Sequence, residues 1–232
     1  MDFQTITVEA DTRGVVTLTL NRPDKHNSMN DQLIEEVSEA ITRINANPTN
    51  RVMVLTGAGE SFCAGGDLKW MEAQFEATRE QRIAGSSKLA AMLRQLNEST
   101  VPVVGRINGQ AYGGGTGMMA VCDITIAAAS ARFQLTEVRL GLTPATISPF
   151  VVAKMGQANA RRCFLNSLPM TADRACELGL VDEVVDDAAL DAAVEDEVRR
   201  FLQCGPGAVA ATKRLIRHVS GHGMDANADG QV

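Results

Sequence analysis

Two short runs, Ile6-Thr7-Val8-Glu9 and Val15-Val16-Thr17-Leu18-Thr19-Leu20, alternate in polarity on either side of Arg13-Gly14. A period of two broken by a glycine turn predicts an antiparallel hairpin. From residue 30 the period lengthens: Leu33, Ile34, Val37, Ile41 and Ile44 recur as one face of a helix, with Asn30 as its N-cap. Residues 51–56 read as a buried strand ending at Gly57-Ala58-Gly59. A second helix follows over 80–97, with Ile83, Leu89, Met92, Leu93 and Leu96 on one side. Residues 101–107 give the next strand, where Pro102 is tolerated at the start, and 123–127 a further one. Strands alternating with helices predict an α/β core with much of its sheet parallel.

Beyond residue 144 the pattern turns helical, over 149–155, 157–167, 171–179, 187–203 and 207–219, with one short strand at 181–185. No linker composition precedes this stretch and no internal repeat is present. The expected organisation is a core over 1–143 followed by a helical region over 144–232, packed on the core or on a neighbouring subunit.

At 232 residues and 45% hydrophobic, with mean hydropathy of −0.04, the chain fits one large domain with a sizeable core. A net charge of −6 and a pI near 5.1 disfavour nucleic acid or an anionic membrane as the main partner. No apolar run approaches the ~20 residues of a membrane span. The acidic, alternating start MDFQTITVEADTRG resembles neither a signal nor a transit peptide. Cys63, Cys122, Cys163, Cys176 and Cys204 are odd in number, widely spaced and lack a CxxC pair, so they read as reduced core thiols of a cytoplasmic protein. His218 and His222 have metal-ligand spacing, but Gly221 and Gly223 interrupt their helix and no metal is expected. Cys63 lacks a partner histidine and reads as a small core residue rather than a nucleophile.

The unusual stretch is Tyr112-Gly113-Gly114-Gly115, just before an uncharged helical segment. Three consecutive glycines are costly to order unless backbone must approach something closely. The run does not match G-x-G-x-x-G, since Met118 stands where the last glycine should be, and neither a P-loop nor a G-x-S-x-G elbow occurs. A tight strand-to-helix turn is one explanation; a ligand oxygen held on bare N–H groups at a helix start is the other. A second glycine turn, Ala64-Gly65-Gly66, follows an earlier strand and opens another short helix. Two such turns at one sheet edge can aim two N–H groups at one point, an oxyanion hole worth roughly 3–4 kcal/mol per donor.

The stretches FCAGGDL, INGQAYGGGTGMMAVCDI and FQLTEVRLGL, with NRPDKHNSM at 21–29 and AxxLGLVDEVV at 175–185, resemble the enoyl-CoA hydratase/isomerase (crotonase) family over nearly the whole chain. The resemblance implies an α/β, crotonase-like fold of repeated ββα units with a helical C-terminal region, assembled as a homotrimer or dimer of trimers. It implies an acyl-CoA thioester as substrate, with no separate cofactor because coenzyme A is part of that substrate. By position, the N–H groups of Gly66 and Gly114 would hold the thioester oxygen and Glu137 would be the acid/base. Ala64, Gly65 and Gly113 would lie along the ligand, and Lys25 is a candidate phosphate contact. Trp70, Met71, Tyr112, Met118, Met119 and Phe150 would shape the acyl pocket.

One departure bears on chemistry. Hydratases of this family typically carry two glutamates; the second matches Glu137, but the first position is Gly117. A single glutamate suffices for an isomerase moving a proton between carbons 2 and 4. Against that, the stretch from AYGGGTGMM through LTPATISPFVV, with DLKWM at 67–71, resembles the methylglutaconyl-CoA/carboxygeranoyl-CoA hydratase branch, which serves leucine or acyclic terpene breakdown. The expectation is therefore a hydratase of a branched or carboxylated enoyl-CoA, with Δ3,Δ2-enoyl-CoA isomerase and a non-catalytic acyl-CoA-binding protein as alternatives. Arg139 and Arg82 are candidate partners for an acyl carboxylate. The family's usual further helix or two over the pocket is not supplied by the polar 221–232 segment, which reads as a truncation.

Overall fold

The computed structural model describes residues 3–220. Its N-terminal hairpin pairs β1 (Ile6–Ala10) with β2 (Val15–Leu20), and Gly14 turns the chain at a φ of 83°. Helix α1 (Asp31–Ala46) is capped by the Asn30 side chain, which accepts from Leu33 N, and buries Leu33, Ile34, Val37, Ile41 and Ile44 as the periodicity required. Next come β3 (Val52–Gly57), a three-residue strand β4 (Ser61–Cys63), α2 (Leu68–Glu76) and α3 (Arg79–Asn97). Thr78 and Gln81 close a capping box at the start of α3. The buried side of α3 differs from expectation at one place: Ile83 is exposed, while Gly85 is buried beside Gln74 of α2.

The chain continues through β5 (Val103–Ile107), β6 (Gln110–Tyr112), α4 (Gly114–Ala120), β7 (Ile124–Ala128) and β8 (Arg132–Gln134). Helix α5 (Ser148–Phe164) carries a kink at Gly156, whose φ of 75° and ψ of 156° are non-helical, at the break expected between 149–155 and 157–167. The last elements are β9 (Met170–Thr171), α6 (Ala172–Glu177), β10 (Glu183–Val185), α7 (Leu190–Leu202) and α8 (Pro206–Val219).

A six-stranded sheet runs in the order β1-β2-β3-β5-β7-β10 and is parallel apart from the β1–β2 pair. A second, four-stranded sheet runs β4-β6-β8-β9. Each of β3, β5 and β7 in the large sheet is thus followed by a short strand in the small one, the repeat that the family resemblance implies. The main core, built around Leu18, Leu33, Leu55, Phe62, Met92 and Phe133, lies on one side of the large sheet. A smaller cluster on its other side packs Val15, Val54, Val104 and Ile126 under Val194 and Val198 of α7. Cys63, Cys122 and Cys163 are buried as core thiols should be, Cys176 is partly exposed, and Cys204 is exposed, so the core reading fails for that last residue. Cys204 sits just past the end of α7, where the helix leaves the core. No described helix is long and apolar enough to cross a membrane. His222 and the rest of the 221–232 tail lie outside the described residues.

Candidate active site

The small sheet places the chemistry. Strands β4, β6 and β8 are adjacent and parallel, with Cys63 opposite Ala111 and Tyr112 opposite Gln134. Each ends just before a feature singled out in the sequence: Gly65-Gly66 after β4, Gly113-Gly114 after β6, Glu137 after β8. Loops at the carboxyl ends of neighbouring parallel strands converge, which is why such edges hold ligands. The sequence located the two glycine turns but not the strands that deliver them, because three residues are too few for a period.

Gly65 and Gly113 have φ of 91° and 48°, a region that side chains rarely adopt. A β-carbon on Gly65 would also lie 2.9 Å from the Tyr112 carbonyl oxygen, so the two turns touch backbone to backbone. Met29 holds the first turn on its other side: its N–H donates to Gly65 O at 2.7 Å and its carbonyl accepts from Asp67 N at 2.8 Å. That bridge passes over Gly66, whose N–H finds no acceptor among the described residues. Gly114 opens α4 and its N–H is likewise without an acceptor there. The preceding Gly113 N–H donates to Gln134 O at 2.9 Å, tying the α4 start to the strand that leads to Glu137.

Glu137 begins a 3-10 turn, Glu137–Leu140, closed by Gly141 at a φ of 72°. Its carboxylate lies against the second glycine turn: a β-carbon on Gly113 would meet Glu137 Oε1 at 3.2 Å. Oε2 is buried with no hydrogen-bond partner. Desolvation pushes the carboxyl above its ordinary value, and the opposing hydrogen bond from its own backbone does not cancel that. A desolvated carboxylate of this kind is a stronger base than a solvated one, as proton transfer requires.

The segment at 21–31 forms the opposite wall. Arg22 pairs with Asp67 at 2.9 Å and also donates to Ser28 O. Asn27, buried at a φ of 55°, donates to Ala58 O at 2.9 Å and Ser61 O at 2.8 Å, stapling this segment to the strand β4. Burial works against the charge on Asp67, but Arg22 and the α2 backbone N–H groups hold its carboxyl below the ordinary value. Asp67 caps α2, accepting from Lys69 N at 3.0 Å. The outcome is a cleft of about 1010 Å³ whose lining includes Arg22, Lys25, His26, Ala64, Gly66 and Trp70. The motif NRPDKHNSM was noticed in the sequence; the roles of Arg22, Asn27 and Met29 in fixing Gly66 were not, since nothing local signals a partner some forty residues away.

The remaining expected site residues differ in burial and position. Lys25 is exposed on the 3-10 turn Pro23–Lys25, and Tyr112 is half-buried on β6. Met118, Met119 and Phe150 are buried in the main core. Met71 stands beside Gly66, where a β-carbon would meet its Cγ and Sδ at 3.0 Å. Arg82 and Arg139 are exposed. Gly117 is buried inside α4, and its missing side chain leaves room for Ile147 rather than for solvent. Cys63 is sealed in the core with its thiol pushed up to about 12 by burial, unsuited to nucleophilic work. Among the described residues, no group of three His, Cys, Asp or Glu side chains is placed to hold a metal ion.

The sequence profile of the enoyl-CoA hydratase/isomerase family matches residues 10–227, and the chain belongs to that family. It is 33% identical to the enoyl-CoA hydratase ACTT6 of Alternaria alternata over 93% of this chain and 70% of that protein. It is 31% identical to the 1,2-epoxyphenylacetyl-CoA isomerase of Escherichia coli strain K12, over 94% and 84% of the two chains. Among solved structures, an enoyl-CoA hydratase from Shewanella pealeana superposes with a TM-score of 0.90 at 34% identity, covering 94% of this chain and 81% of the other. The α/β crotonase-type architecture is thus that of its structural neighbours.

Proposed function

We propose that this protein is a hydro-lyase that adds water across the 2,3 double bond of an enoyl-CoA thioester. The observation that carries the reading is Glu137: a desolvated carboxyl with a free oxygen, lying against a glycine turn that ends in an unpaired N–H. The Gly66 and Gly114 N–H groups would hold the thioester oxygen. As the Glu137 carboxylate takes a proton from water, the water oxygen attacks carbon 3 and the π electrons move onto that thioester oxygen. Glu137 then returns the proton to carbon 2 and the enolate collapses to the 3-hydroxyacyl thioester. One glutamate therefore completes the cycle, and no cofactor beyond the coenzyme A of the substrate is required. The cleft lined by Arg22, Lys25 and His26 suits the coenzyme's phosphates, with Ala64 and Gly65 beside it.

For the acyl chain we take a branched or carboxylated group, such as 3-methylglutaconyl-CoA. The resemblance of the 111–152 stretch to that hydratase branch supports it. So do two relatives: the (E)-benzylidenesuccinyl-CoA hydratase of Thauera aromatica, 32% identical, and the mevalonyl-coenzyme A hydratase of Aspergillus fumigatus, 35% identical. A homotrimer or dimer of trimers belongs to the same reading, and the exposed Leu215, Ile216 and Val219 on α8 suit association.

An isomerase is the second reading, favoured by Ile147 occupying the space beside Gly117, which leaves a single carboxylate, and by the E. coli isomerase relative. Absorbance of the conjugated enoyl-thioester band separates the two. Loss of conjugation with 3-methylglutaconyl-CoA, abolished in Glu137→Gln, identifies the hydratase. Gain of conjugation with a 3-enoyl-CoA alone identifies the isomerase. Tight thioester binding with neither change would mean an acyl-CoA-binding protein without turnover.

A further inference from the structure

Among the described residues, two side-chain polar atoms are buried without a hydrogen-bond partner, Glu137 Oε2 and Trp70 Nε1. Each stands at one of the two glycine turns. Glu137 lies against Gly113, and the Trp70 ring lies against Gly66, with Cε3 3.5 Å from where a β-carbon on that glycine would be. Glu137 has an evident use. Trp70 does not: shaping an apolar pocket calls for a Phe or Leu, whose burial leaves no donor stranded. An indole N–H only donates, and leaving it unpaired out of water is destabilising.

The backbone that carries this donor is held in place. Asp67 caps α2 and is itself pinned by Arg22, so the first turn of α2, which carries Trp70, is held to the segment at 21–31. The ring packs on the main core and lines the same cleft as Ala64 and Gly66. Arg82 and Arg139, the candidate partners for an acyl carboxylate, are exposed, and Arg22 in the cleft is already paired with Asp67. We propose that the Trp70 indole N–H selects acyl chains that carry a hydrogen-bond acceptor beyond the thioester, a carboxylate, hydroxyl or keto oxygen. This rests on the acyl-thioester reading of the site and names the substrate class within it. A thioester without such an acceptor leaves the N–H stranded; one with it removes the deficit, and discrimination follows from the difference.

Trp70 is the chain's one tryptophan, so its emission reports on this group alone. The test compares three saturated thioesters of equal chain length: pentanoyl-CoA, 4-oxopentanoyl-CoA and glutaryl-CoA. Kd is measured by calorimetry for the wild type and for Trp70→Phe, which keeps a ring and removes the N–H. The expected result is a preference on the order of tenfold for at least one acceptor-bearing thioester over pentanoyl-CoA. That preference should vanish in Trp70→Phe and be accompanied in the wild type by an emission shift that pentanoyl-CoA does not produce. The emission arm stands on its own if the variant folds poorly. Equal affinity for all three, a preference that persists in Trp70→Phe, or identical emission responses would overturn the inference while leaving the acyl-CoA reading intact. Failure of all three to bind would overturn both.

Discussion

Gly117 and Ile147 interlock: a β-carbon on Gly117 would stand 2.4 Å from Ile147 Cγ2 and 2.8 Å from its Cβ, with Leu93 Cδ1 at 3.7 Å behind. The position where many hydratases of this family carry a glutamate is therefore filled from the opposite side by an apolar side chain. Gly117→Ala should lower stability by about 1–3 kcal/mol through overpacking. Gly117→Glu should be worse, since a carboxylate would be driven into a buried apolar contact, and it should not raise hydratase activity. Ile147→Ala, destabilising alone, should recover part of the Gly117→Ala loss when the two are combined. Urea denaturation of the wild type and the four variants checks the stabilities, and the enoyl-thioester absorbance assay checks the activity; additive losses for Gly117→Ala and Ile147→Ala would show that the two side chains do not share one space.

Glu137 links function to stability with a definite sign. Its carboxyl is held above the ordinary value of 4.5 because burial penalises the charge. The unfolded chain ionises first as pH rises, so the folded state is favoured by this group below about 4.5 and loses that contribution as pH climbs through the raised folded value. Glu137→Gln should therefore be more stable than the wild type at pH 7, with the gap narrowing toward pH 4. The same substitution should cut turnover by at least about 10²-fold. Thermal unfolding of both proteins at pH 4, 5.5 and 7 tests the sign, and a wild type that outlasts the variant at pH 7 would contradict it.

Two adjacent glycines should respond to alanine to very different degrees. A β-carbon on Gly114 would meet Met29 Cε at 2.2 Å, the mobile end of a flexible side chain. On Gly115 it would meet the Cys63 carbonyl oxygen at 2.1 Å, which is backbone of β4 and cannot step aside. Gly114→Ala should fold with a cost of about 1 kcal/mol, whereas Gly115→Ala should lose about 3 kcal/mol or more and pull α4 off β4. Because both changes leave the Gly114 N–H in place, whatever activity Gly114→Ala loses measures how closely an acyl group approaches that backbone. Far-ultraviolet circular dichroism with thermal melts decides the stability half, and equal melting points would refute it.

Periodicity made the large sheet and its helices legible, because Leu33 to Ile44 and Val15 to Leu20 each bury one face and repeat it. The break at Gly156 was legible too, since a glycine there divides two apolar faces. The small sheet was not: β4, β6 and β8 are three residues each, and their identity comes from pairing with one another. Ile83 misled because a helix face was read from spacing alone, while the actual face is set by Gly85 closing on Gln74 of α2. The glycine turns and Glu137 could be named from sequence, but not that Glu137 lies over Gly113. Such a relation joins residues brought together by β6 and β8, and no local pattern encodes it.

Helix α8 is fastened by an inverted arrangement in which a lysine is the buried residue and Leu215, Ile216 and Val219 face outward. Lys213 is 9% exposed and reaches Asp123 Oδ2 at 2.5 Å, while the same Asp123 oxygen accepts from Val103 N at 2.7 Å. Asp123 links α4 to β7, so this one carboxylate ties α8 to the far end of the helix that begins at Gly114. Removing one partner of a fully buried pair typically costs 3–5 kcal/mol. Asp123, at 27% side-chain exposure, keeps some access to water, so Lys213→Met should cost less, about 1–3 kcal/mol. Asp123→Asn should cost a similar amount, and the double variant less than the sum, because each single change leaves the remaining member of the pair stranded. The double-mutant cycle by urea denaturation gives the coupling directly. A coupling near zero would mean that α8 is held by its other contacts, such as the Arg217 guanidinium donating to Asn97 O at 3.3 Å.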